Sequence, residues 1–186
     1  MRDLQGKSIA IVATDGFEQA ELEKPLAALK GAGAKVDVIA LKAGEIWGWD
    51  KTDWGSPVTV DKTIDQVSAD QYDAIVLPGG VINPDKLRVE QKVLDLINAF
   101  WTQGKVVAAV CHAPWLLVQT GIVKGRKVTS YHSIKTDVIN AGGRWEDSAV
   151  VTDQGLITSR NPGDLDAFSE KIAEEVSEGQ HTRRAA

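Results

Sequence analysis

The chain of 186 residues has a single cysteine, Cys111, which stands beside His112 in the stretch VVAAVCHAPWLL. One thiol cannot close an internal disulfide, so Cys111 is either a small buried hydrophobe or a nucleophile. Its surroundings bear on the choice. KVVAAV (105 to 110) has the unbroken apolar character of a buried strand, and PWLLVQTG reads as a short helix ending at Gly121. Cys111 therefore falls on a strand-to-helix turn at the carboxyl edge of a sheet, where open α/β folds bind their ligands. Such a turn projects the sulfur from the sheet. The backbone N–H groups after it can hold an oxyanion, and the helix start favours a thiolate.

A carboxylate belongs to the same picture. DGFEQAEL (15 to 22) follows the first strand, which places Glu18 at the carboxyl edge too. Glu21 and Glu23 read as ordinary first-turn acids that complement the helix dipole. An ionised acid beside Cys111 would oppose the thiolate, whereas a protonated one would donate a hydrogen bond to it. A close Glu18–Cys111 pair would therefore titrate as a unit, with the proton kept on the acid. The run LPGG contributes Gly79 and Gly80, whose backbone can turn close to a substrate and present N–H donors.

These groups need a scaffold, and the apolar patterning supplies one. SIAIVAT (8 to 14), KVDVIAL (35 to 41), DAIVLPGG (73 to 80) and KVVAAV read as strands of a parallel sheet covered on both faces. Between them EQKVLDLINAFWTQG carries Val93, Leu96, Ile97, Phe100 and Trp101 on one helical stripe, with Gly104 at its end. Asn83 and Pro84 read as a cap and first helical residue, and Ser133 as the cap of a helix through Ile139. A last helix after Pro162 turns Leu165, Phe168, Ile172 and Val176 inward. The alternation implies a doubly wound α/β sandwich. GEIWGWDKTDWGSP (44 to 57) interrupts it with Trp47, Trp49 and Trp54 among turn residues. This segment suggests a small hairpin whose rings pack over the sheet edge or act as an interface or lid.

Bulk properties narrow the function classes. Hydrophobic residues make up 43% and charged residues 25%, as in a soluble globular domain, and the chain is read as a single domain over 1 to 186. Residues 179 to 186 lack apolar periodicity and are expected to fray. A net charge of −5 argues against a nucleic-acid or anionic-lipid surface. No signal peptide or membrane span is evident, and a cytoplasmic location is expected. Cys111, His112 and His132 lack structural-zinc spacing, so no metal is expected, and attack by a thiolate on a carbonyl requires no cofactor.

Taken in order, DGFEQAEL, VLPGG, AVCHAP, GRKVTSYHSIKTDVINAG and TSRNPGDL resemble the PfpI-type intracellular protease family. That family lies in the superfamily of the parkinsonism-associated protein deglycase, with glutamine amidotransferases as more distant relatives. The resemblance runs from about residue 7 to about 176. It implies a flavodoxin-like three-layer α/β sandwich with a mostly parallel sheet and a nucleophile elbow. Carried over by position, Cys111 is the nucleophile, Glu18 the acid that hydrogen-bonds it, and His112 its general base. Gly80 and the His112 N–H would form the oxyanion hole, with Gly79 and Tyr131 at the substrate. Asp85 matches an acid that, in family members, reaches the histidine from a neighbouring subunit. A homo-oligomer, dimeric or larger, is implied. His132 departs from the family pattern and reads as a competing base or ligand, or as an exposed histidine at a strand end.

Three functions stay open on this reading. The thiolate could attack small reactive carbonyls or early glycation adducts, in the manner of a glyoxalase or deglycase. It could acylate on a peptide, with His112 as base and Asp85 orienting it. It could instead serve a stress response by oxidising to sulfenic or sulfinic acid. A nucleotide carrier is disfavoured, because ATDGFEQ offers one glycine and an acid where a phosphate needs several N–H donors.

Overall fold

Alternating apolar residues on the central strands divide into two buried sets, one for each face of a sheet. Along β1 (Ser8–Val12), Ala10 and Val12 pack to one side while Ile9 and Ile11 pack to the other. The same period of two runs through β7 (Ala74–Leu77) and β8 (Val106–Val110). The structure is a computed structural model and describes residues 1–183. In chain order the other strands are β2 (Phe17–Glu18), β3 (Lys35–Ala40), β4 (Glu45–Asp50), β5 (Asp53–Thr59) and β6 (Lys62–Thr63). After β8 come β9 (Lys127–Val128), β10 (Arg144–Trp145), β11 (Val150–Asp153) and β12 (Leu156–Ser159).

The main sheet has the order β11-β12-β8-β7-β1-β3-β6. All its pairs are parallel except β11–β12, so the expected mostly parallel sheet is present. Helices α1 (Gln19–Gly31) and α6 (Leu165–Glu178) cover one face with Leu22, Leu29, Phe168 and Ile172. The opposite face is covered by α3 (Gln91–Thr102), α4 (Pro114–Gln119) and α5 (Lys135–Asn140), through residues such as Phe100, Leu116 and Val138. The result is the three-layer α/β sandwich. No helix among the described residues is long and apolar enough to cross a membrane.

Three local expectations fail for tertiary reasons. Asn83 lies inside α2 (Ile82–Leu87) and is not its cap. Its buried amide accepts from Thr14 N–H at 2.8 Å and donates to the Pro78 carbonyl at 2.9 Å, tying the end of β1 to the turn after β7. Ser133 likewise caps nothing, because it lies in a 3-10 turn (His132–Ile134) before α5. Residues 181 and 183 do not fray. His181 N–H donates to Gly104 O at 2.8 Å, and the Arg183 guanidinium lies 3.7 Å over the Trp101 ring. The remainder of the expected tail, 184 to 186, lies outside the described residues.

The tryptophan segment is the hairpin β4–β5, joined to β2 in a separate three-stranded sheet. Trp49 and Trp54 meet edge to face with centroids 5.5 Å apart. Trp47 and Trp54 are about half exposed, while Trp49 turns toward the carboxyl edge of the main sheet.

Candidate active site

β8 is buried at every position and delivers Cys111 directly at its end. Cys111 adopts φ 62°, in the left-handed region that costs an ordinary residue roughly 1–2 kcal/mol. The surroundings enforce this conformation. Cys111 N–H donates to Ser159 O at 3.0 Å, and Tyr131 N–H donates to Cys111 O at 2.8 Å. Such a strained non-glycine turn between strand and helix is the nucleophile elbow. The thiol is only 6% exposed, yet it opens into a cleft of about 590 Å³ whose walls include Glu18, Glu21, Trp49, Tyr131 and Pro162.

The acid beside the thiol is Glu21, not the expected Glu18. Side chains on a helix lean toward its N-terminus, so Glu21, in the first turn of α1, reaches back to the sheet edge. Its Oε2 accepts from Gly79 N–H at 2.8 Å, and its carboxyl is in hydrogen-bonding contact with Cys111. Its Oε1 has no nitrogen or oxygen partner. Glu18 instead lies at the rim, where burial and then the Asp50 carboxylate raise its pKa.

Burial dominates the electrostatics of this pair. It pushes Glu21 up to about 8, against the Gly79 N–H that pulls it down. Glu21 is therefore largely protonated at neutral pH. For Cys111, burial first and then the charge of an ionised Glu21 push the thiol up, whereas Gly80 and His112 N–H groups pull it down. Once Glu21 keeps its proton, the second upward push vanishes and the acid becomes a donor to sulfur. The two groups therefore titrate as a coupled pair, with Glu21 protonated at neutral pH.

The two glycines have separate tasks. Gly80 has φ +76° and points its N–H at the sulfur together with that of His112. Gly79 was expected at the substrate, but its N–H is already engaged by Glu21. A Cβ on Gly79 would stand 2.6 Å from Glu21 Oε2, 2.7 Å from Val110 O and 2.8 Å from Cys111 Cβ. Backbone at Val110 cannot swing away. Gly79→Ala is therefore expected to cost about 1–3 kcal/mol by overpacking. It should also displace the Glu21 carboxyl and Cys111, giving a lower melting temperature together with slower Cys111 alkylation.

His112 is held on three sides. Nδ1 lies 3.1 Å from Cys111 Sγ and Nε2 lies 3.1 Å from Ser133 Oγ. Tyr131 stacks on the ring at 4.8 Å, and Trp115 meets it edge-on at 5.2 Å. Burial and then His132 hold its pKa below the usual value, so the ring is neutral at pH 7. His132 itself is exposed and packs against Tyr131 at 4.4 Å. Asp85 is exposed on α2, and its side chain has no hydrogen bond or ion pair among the described residues.

Sequence reasoning missed Ser133 and misassigned Glu21. Ser133 gave no signal, since a serine before a helix reads as a cap. Glu21 did give one: it shares the buried stripe of Leu22, Pro25 and Leu29, where an acid is out of place.

With the elbow, the buried acid and the cleft described, the comparisons with known proteins acquire a physical meaning. Residues 7–175 match the DJ-1/PfpI family. The chain belongs to the DJ-1/PfpI family. It is 41% identical over 160 residues to a Pyrococcus furiosus protein named Deglycase PfpI, covering 86% of this chain and 93% of that one. It is 40% identical over 164 residues to the Escherichia coli Protein/nucleic acid deglycase 2, covering 88% and 94%. The crystal structure of Drosophila melanogaster DJ-1beta superposes with a TM-score of 0.82 at 34% identity, covering 92% of this chain and 94% of that chain. This DJ-1/PfpI chain thus has the family fold along nearly its whole described length.

Proposed function

We propose that this DJ-1/PfpI protein is an enzyme in which the Cys111 thiolate attacks a small reactive carbonyl, as in glyoxalase or deglycase chemistry. The observation that carries the reading is the strained Cys111 elbow set against the buried Glu21 carboxyl at the floor of the cleft. The deglycase names of the two relatives support the substrate class.

In this reading sulfur forms a bond to the aldehyde carbon of a 2-oxoaldehyde. The oxygen of the resulting hemithioacetal is held by the N–H groups of Gly80 and His112 and takes the Glu21 proton. The Glu21 carboxylate or neutral His112 then removes the proton from the carbon bonded to sulfur, and a proton returns to the adjacent carbon. The product is a thioester, which water hydrolyses to a 2-hydroxy acid with return of the thiol. The oxidation of one carbon balances the reduction of its neighbour, so no external oxidant is needed.

Peptide hydrolysis fits less well. It calls for an acid to orient His112, yet His112 Nε2 faces Ser133. Asp85 of a second copy would have to supply that acid in a homo-oligomer. Purified protein is expected to convert methylglyoxal to lactate and to leave fluorogenic peptides intact. Peptide cleavage without lactate formation would reverse the assignment.

Ser133 then acts as a positioning residue for His112. Ser133→Ala is expected to lower kcat by about 10-fold, with KM nearly unchanged, and to alter the limb of the pH–rate profile that reports the imidazole. An unaltered profile would make Ser133 merely structural.

A further inference from the structure

Outside the cleft, one cluster of ligand-type side chains stands apart from anything the proposed reaction uses. Near the end of α6 and just beyond it, Glu175, Glu178 and His181 each offer a ligand atom, all within 4.8 Å of one another. Glu175 and Glu178 sit three residues apart on one helix, so they project from the same side. The chain leaves the helix at Gly179, with φ 93°, and brings His181 back to them.

His181 is seated there by the fold. Its N–H donates to Gly104 O at 2.8 Å, and a Cβ on Gly104 would stand 2.8 Å from His181 O. A Cβ on Gly155 would stand 2.6 Å from the imidazole Cδ2. Two turns thus have glycine where any larger residue would displace this histidine. The ring's Nε2 lies 3.5 Å from Glu175 Oε2. Arg183, two residues on, lies over Trp101 and donates to the Gln154 and Lys105 carbonyls, which fixes the far side.

The charge is unbalanced for a simple ion pair. Glu175 is largely buried. Two carboxyl groups converge here with one imidazole beside them. A dication would neutralise both.

We propose that Glu175, Glu178 and His181 form a binding site for a divalent transition metal of the zinc class that pins the C-terminal segment to the end of α6. One imidazole nitrogen and two carboxylate oxygens suit a borderline ion, and water completes a four-coordinate shell. Magnesium and calcium, which prefer oxygen ligands alone, fit this set poorly.

The test uses zinc chloride and the full chain carrying Cys111→Ser, which removes the competing thiol ligand. Calorimetric titration should give one bound equivalent and a rise in melting temperature. His181→Ala and Glu178→Gln, each added to that background, should weaken binding by at least about 10-fold and cancel the rise. Glu178 is exposed, so its substitution reads the site without loosening the fold. Magnesium chloride should give no heat. Failure of the Cys111→Ser chain to bind zinc would overturn the proposal. Undiminished binding after either substitution, or magnesium binding as strong as zinc binding, would do the same.

Discussion

Replacing Cys111 by serine should abolish methylglyoxal turnover, with kcat/KM falling on the order of 10³-fold or more while the fold is retained. Serine is nearly isosteric and can keep the φ of 62° that the elbow imposes. Its hydroxyl, though, stays un-ionised at neutral pH beside a buried acid and lacks the nucleophilicity of sulfur. The comparison must pair lactate formation with a thermal melt, so that loss of chemistry is separated from loss of structure. A serine variant that melts normally and still makes lactate at the wild-type rate would remove Cys111 from the reaction. The reading of the cleft would go with it.

The second large effect concerns Glu21 and is read as stability against pH. Folding raises its pKa from 4.5 to about 8, through burial above all. Between those values the folded chain holds a proton that the unfolded chain has released. Raising the pH through that window therefore favours unfolding, and the loss is complete above pH 8. At 1.36 kcal/mol for each pH unit crossed, the penalty is on the order of 4–5 kcal/mol. Below pH 4.5 both states are protonated and the penalty is absent.

Glutamine at position 21 has no proton to lose. Glu21→Gln should remove this slope, so that its stability advantage over wild type grows by several kcal/mol between pH 4.5 and pH 8 in urea titrations. The same change should lower kcat by about 10²-fold, since an amide cannot shuttle the proton. Glu18→Gln at the rim should cost less. Parallel stability curves for wild type and Glu21→Gln would mean that burial does not keep Glu21 protonated at pH 7.

Much of the architecture was legible in the chain. The four apolar runs became β1, β3, β7 and β8, because a strand buried on both faces must be largely apolar. The break at GEIWGWDKTDWGSP became a hairpin, since turn residues between aromatics leave little else. Cys111 at a strand end could be read locally, because only the strand before it and the helix after it define the elbow. The glycines of LPGG also announced a close approach, although not which acceptor each would meet.

What remained hidden involves partners distant in sequence. Glu18 and Glu21 differ by less than one helical turn. Only the placing of the first turn of α1 beside the turns that follow β7 and β8 decides which carboxyl is buried against Gly79 and Cys111. A helix-capping serine and a serine that holds the His112 imidazole look alike until that ring is brought 3.1 Å away. Asn83 reads as a cap until Thr14, far earlier in the chain, donates to its side chain. His181 reads as loose tail until the turns at Gly104 and Gly155 receive it. Periodicity determines which surfaces must be buried. It does not encode which polar atoms meet once they are, because those meetings depend on packing between segments scores of residues apart.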